Sequence, residues 1–148
     1  MICLFCGSPQ TSVNNSRTTK KTPRVWRRRT CKQCRNVFTT IELADLSQIK
    51  VSKRSGKKQS FSRPKLFISI FKSIEHLPKP AECAEALTST ITSRVLTYSE
   101  ITSEIISEQT MKCLKNFDIS ACVKYASLQT RISSPRELNK TLKSLNLR

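Results

Sequence analysis

Glycine is almost missing from this chain, with two in 148 residues. Gly-rich phosphate loops of the Rossmann or P-loop type need several glycines at set positions, so both are excluded. Histidine occurs once, which leaves little room for His-based catalysis. Acidic side chains are scarce too: 10 against 27 lysines and arginines, for a formal charge of +17. Such an imbalance implies a polyanionic partner, nucleic acid first and an acidic membrane surface second. No apolar run approaches the roughly 18 residues a membrane helix needs. MICLFCGS does not read as a secretory signal, so a cytoplasmic protein with no membrane partner is expected.

Cysteine, by contrast, is plentiful, with seven. Thiols stay reduced in the cytosol, so metal ligands and buried thiols are a better reading than disulfides. Cys3, Cys6, Cys31 and Cys34 form C-x2-C-x24-C-x2-C. Each pair puts two thiolates on one tight knuckle, and two knuckles close a tetrahedral Zn²⁺ site with no open position. Such a site is structural, and one Zn²⁺ per chain is expected. A redox dithiol or coincidental spacing are the competing readings. A module of about 47 residues has too little core to fold alone, so the metal supplies stability on the order of 10 kcal/mol. Cys83, Cys113 and Cys122 lack ligand spacing and fall on helical segments, where they read as small core residues.

The positive charge is concentrated near the cysteines. Residues 1–47 carry nine basic side chains against Glu42 and Asp45, and 48–65 carry seven with no acid. Arg27, Arg28 and Arg29 run into the second knuckle. On a strand Arg27 and Arg29 share a face and Arg28 points away. Arginine forks phosphates and guanine edges, although a merely solvated basic face is the competing reading. Trp26 either stacks on a base or sugar or forms the module's main core. The scarcity of other large apolar groups favours the core.

The fold class expected is α+β: a small β-module, then a β-hairpin and a helical bundle. Val37, Thr39, Ile41 and Leu43 share one face of a strand. Residues 49–54 and 58–61 flank Ser55-Gly56 as a hairpin. Helices are expected over about 63–76 (cap Ser62, Pro64 in the first turn), 80–94, 100–116 (cap Ser99) and 119–132 (after Asp118). Their apolar faces are Leu66, Phe67, Ile70, Phe71 and Ile74, then Ala84, Leu87 and Ile91, then Ile101, Ile105 and Leu114, then Cys122, Tyr125, Ala126 and Leu128. Ser134-Pro-Arg-Glu137 is a capping box leading into Leu138, Leu142 and Leu145. That short amphipathic tail either biases assembly or packs on its own bundle. The expected division is 1–47, 48–133 and 134–148.

The stretches Cys3-LFCG-Ser8, Asn15-Ser-Arg17, Val25-WRRRTCKQ-Cys34 and Phe38-TTI-Glu42 resemble the zinc ribbon of the NrdR family, bacterial repressors of ribonucleotide reductase genes. Val51-SKRS-Gly56, Phe61-SRP-Lys65 and Tyr125-Ala-Ser127 resemble the ATP-cone that follows it. The resemblance implies a non-enzymatic, homo-oligomeric repressor. Its ribbon would bind paired boxes of double-stranded DNA through residues among Arg17, Arg27, Arg28 and Arg29. Its cone would bind ATP or dATP, which changes oligomeric state and so DNA binding. Carried over by position, Val51 would lie against the base and Lys53, Arg54 and Lys65 near the phosphates, with Tyr125 contributing from the last bundle helix. Ser55, Gln59 and Ser62 stand where the family usually carries acids, which implies weak ATP-versus-dATP discrimination. Trp26 replaces an arginine of the basic run, and Arg35 the glycine after the fourth cysteine. The alternative is a general nucleic-acid binder, for DNA or RNA, whose cone does not sense nucleotide. A fragment of the reductase itself fails on size, because 148 residues cannot supply its barrel.

Overall fold

The computed structural model describes residues 1–19, 22–130 and 134–144. It divides into two compact units, Met1–Asp45 and Leu46–Arg148. No helix among the described residues is long and apolar enough to cross a membrane.

The first unit is an antiparallel sheet of β1 (Thr11–Thr19), β2 (Thr22–Cys31) and β3 (Val37–Leu43), with β2 in the middle. Arg17, Trp26 and Ile41 lie side by side across the three strands, and Asn15, Arg28 and Thr39 form the next row. Because side chains alternate, Arg27, Arg29, Phe38 and Thr40 face the other way. Val37, Thr39, Ile41 and Leu43 do share a face, but it is the exposed one. The buried strand residue is Phe38, 7 % exposed, which packs with Cys3 and Cys31.

Trp26 is 46 % exposed, so its expected core role is corrected. The reason is physical: the interior of so small a sheet is the cysteine cluster with Phe38, and Trp26 lies on the opposite face. A large apolar side chain was not required once sulfurs filled the interior.

In the second unit β4 (Lys50–Ser52) and β5 (Lys58–Ser60) form the expected hairpin. Gly56 sits in its turn at φ +77°, a conformation that favours glycine. Helix α1 (Arg63–Ile74) starts where Ser62 Oγ accepts the Lys65 N–H at 3.4 Å, with Pro64 in the first turn. Helix α2 (Pro80–Val95) follows. Leu66, Ile70, Ile74, Ala84 and Ile91 are buried together, as the periodicity indicates. Cys113 and Cys122 join that core and Cys83 is half-buried against it. Burial pushes the Cys113 and Cys122 thiols up from their ordinary pKa, as befits unreactive packing residues.

The third helix departs from expectation. Ile101–Thr102 form a short strand, β6, parallel to β4 through Val51↔Ile101 and Ser52↔Thr102. Burying Ile101 beside Val51 holds the chain extended there, so α3 (Ser103–Phe117) begins later. Its cap is Thr102, whose Oγ1 accepts the Ile105 N–H at 3.2 Å, and not Ser99. Helix α4 (Ile119–Thr130) is capped by Asp118, whose Oδ1 accepts the Ala121 N–H at 2.6 Å. Cys122, Tyr125 and Ala126 are buried along α4, but Leu128 is 53 % exposed, contrary to its place in the apolar pattern. At 3.6 residues per turn it lies at the edge of the buried arc, in the last turn of α4. Helix α5 (Pro135–Ser144) is capped as expected, Glu137 N–H donating to Ser134 Oγ at 3.3 Å. Leu145 and the side chains of Leu138 and Leu142 lie outside the described residues.

Candidate functional sites: a cysteine cluster, an arginine face and a cationic cavity

The two knuckles bring the four predicted sulfurs together. All four Sγ atoms lie within 4.8 Å of one another, with Cys3–Cys34 and Cys6–Cys31 at 3.6 Å. A tetrahedron with Zn–S bonds of about 2.3 Å has edges of about 3.8 Å, so one Zn²⁺ fits. Each knuckle is closed alike: Gly7 N–H donates to Cys3 O at 3.1 Å, and Arg35 N–H to Cys31 O at 3.0 Å. The N–H groups of Cys34 and Gln33 help draw the Cys31 thiol down to about 6, against its burial. At Cys6 the Ser8 N–H lowers the pKa, but desolvation and the thiols of Cys34, Cys31 and Cys3 push it up to about 12. Four crowded sulfurs cannot all ionise without a cation among them. Zinc supplies that charge, and with all four positions taken by protein its role is structural.

The four predicted arginines divide between two faces. Arg17 and Arg28 lie with Trp26, Asn15 and Thr39 around a shallow cavity of about 180 Å³. Among the described residues neither arginine has a side-chain ion pair or hydrogen bond. Arg27 and Arg29 are on the reverse face and engaged: Arg27 pairs with Glu42 at 2.8 Å, and Arg29 Nε donates to Thr40 Oγ1 at 3.1 Å. Alternation along β2 was legible in the sequence; the Glu42 pairing depended on strand register and was not.

A second cavity, of about 200 Å³, opens between the hairpin, the start of α1 and the inner faces of α3 and α4. Val51, Lys53, Lys65 and Tyr125 all line it. Arg54 does not; it turns outward and its Nε donates to Glu104 at 2.8 Å. Gln59 and Ser62, singled out in the sequence, line it too, but sequence reasoning missed the rest of the polar lining: Ser60, Ser69, Ser103, Ser107 and Gln129. Their signal is faint, because a serine marks a cap or turn as readily as a pocket wall. Among the described residues no carboxylate lines the cavity. Burial pushes the Tyr125 hydroxyl above its ordinary pKa, against hydrogen bonds with Thr110, Ser107 and Ser69, so the phenol stays neutral. A cavity with two lysines, several hydroxyls and an aromatic wall suits an anion joined to a planar ring.

Comparison with known proteins agrees with this two-part layout. Residues 1–42 match the model of the transcriptional repressor NrdR-like N-terminal domain, and residues 49–134 the ATP cone domain. The chain is 36% identical over 149 residues to the transcriptional repressor NrdR of Azorhizobium caulinodans, covering 99% of this chain and 86% of that protein. It is 37% identical to that of Methylorubrum extorquens, covering 100% and 81%, and 39% identical over 130 residues to that of Phenylobacterium zucineum, covering 86% and 84%. The chain belongs to the NrdR family.

One departure from the NrdR pattern has an energetic consequence. Arg35 holds φ +59° at the position equivalent to Gly7, which holds φ +73°. A left-handed conformation costs a non-glycine residue about 1–2 kcal/mol. Arg35→Gly is therefore expected to stabilise the ribbon by about 1 kcal/mol, read as a higher chelator concentration for half-loss of zinc. An unchanged or lower midpoint would show that the arginine side chain compensates the strain.

Proposed function

We propose that this chain is a zinc-dependent repressor that binds double-stranded promoter DNA of ribonucleotide reductase genes through Arg17 and Arg28. In this reading ATP or dATP occupies the cavity between hairpin and helices, and its binding alters homo-oligomeric state and so DNA affinity. The supporting observation is one chain carrying both a sheet face with two arginines unpaired among the described residues and a cavity lined by Lys53 and Lys65. The lysines would meet phosphates, helped by the N-terminal dipole of α1, while Val51 and Tyr125 flank the base. Arg54, held by Glu104, is assigned a lesser part than Lys53 and Lys65.

Gln59 and Ser62 replace carboxylates in that lining, so ATP and dATP should bind with similar affinity. Exchanging one nucleotide for the other then shifts assembly little, because only a difference in how each favours one assembly state over another can move that equilibrium. Calorimetry with both nucleotides, light scattering and retardation of a reductase promoter fragment test the reading together. Lys53→Ala with Lys65→Ala should weaken nucleotide binding at least about 100-fold, since each charge-assisted contact is worth roughly 1.5–3 kcal/mol. If the protein retards DNA but neither nucleotide binds, it is a nucleic-acid binder with a non-sensing cone.

A further inference from the structure

Trp26 is the chain's only tryptophan, and it stands half-exposed between two arginines that have no side-chain partner among the described residues. Arg17 lies directly across from it on β1, and Arg28 is two residues along the same strand, about 7 Å away. Asn15 and Thr39 complete the wall of the shallow cavity, and Ile41 flanks the indole from β3. An indole cannot fork a phosphate or accept a hydrogen bond; it offers a flat apolar face and one N–H donor. Duplex DNA cannot use that face, because its base faces are covered by their stacked neighbours. Phosphates and groove edges are all a duplex presents. An unpaired base does present its face, and its flanking phosphates meet cations at either side.

We propose that the Trp26 cavity binds one unpaired nucleotide of single-stranded nucleic acid, the base stacking on the indole and the adjoining phosphates held by Arg17 and Arg28. This goes beyond the duplex reading and does not depend on it. Stacking is sequence-tolerant, since every base has a face to offer, and hydrogen bonding from Asn15 and Thr39 would add only mild base preference.

The sole tryptophan reports its own occupancy. Zinc-loaded full-length protein is titrated with a thymidine 12-mer and with the same strand paired to its complement, following intrinsic emission. Quenching by the single strand well beyond that by the duplex is expected. Trp26→Ala should lower the ratio of single-strand to duplex affinity by roughly 5- to 150-fold, while Trp26→Phe restores most of it. Zinc content and far-UV circular dichroism of each variant confirm that the ribbon is folded. If Trp26→Ala misfolds, the quenching contrast and the phenylalanine variant still decide. Equal quenching by both forms, no quenching by the single strand, or an unchanged affinity ratio in the alanine variant each overturns the proposal. Absence of duplex binding by the unsubstituted protein would remove the repressor reading and leave this site standing.

Discussion

Cys31→Ser is expected to abolish zinc binding and DNA binding while leaving the helical unit folded. Cys31 is fully buried in the first unit, whose other buried apolar residues, among the described ones, are Cys3 and Phe38. Three residues cannot offset the ordering entropy of some forty, so folding there depends on the metal, worth on the order of 10 kcal/mol. The second unit has its own core of Leu66, Ile70, Ile91, Leu114 and their neighbours. Elemental analysis should fall from one zinc per chain to none, with α-helical circular dichroism largely kept and retardation of promoter DNA lost. Folded, DNA-competent protein without zinc would refute a structural metal. Chelation of the unsubstituted protein should reproduce the variant.

The second large effect separates the two arginine faces. Arg17→Ala with Arg28→Ala should weaken duplex binding about 100-fold, from two lost charge-assisted phosphate contacts at roughly 1.5 kcal/mol each. The slope of log K against log salt should become shallower by about 2. Arg27→Ala with Arg29→Ala should cost much less, because Arg27 is already neutralised by Glu42 and Arg29 bonded to Thr40. Measuring both double variants across a salt series decides it. A larger loss from the Arg27 and Arg29 pair would place the DNA on the reverse face.

What the sequence made legible was chiefly what short-range chemistry dictates. Two Cys-x-x-Cys knuckles leave their sulfurs little choice of partner. Ser62, Asp118 and Ser134 cap the helices they announce, since a cap acts within three residues of itself. Gly56 marks its turn for the same local reason. Most of the failures were at longer range. Two-residue β6 has no periodicity to detect, and Ile101 is in a strand only because Val51, fifty residues earlier, is there to receive it. Ser99 looks as good a cap as Thr102 until that pairing is known. Trp26 was weighed by size alone, although sulfur and metal had removed the need for a large core residue. The cavity's serines are brought together by two helices and a hairpin, a convergence no window of sequence contains.

The parallel pairing of β4 with β6 also sets an order of events on the ribosome. The cysteine module is complete once β3 has emerged, so it can take its metal early. The cavity is not: its walls include Val51 from the hairpin, Ser103 and Ser107 from α3, and Tyr125 and Gln129 from α4. Between the end of β3 and the end of α4, at typical synthesis rates, roughly ten seconds elapse. During that interval the nascent chain carries a finished cationic sheet and an unfinished pocket. In the proposed function, the half that binds DNA is born before the half that senses nucleotide.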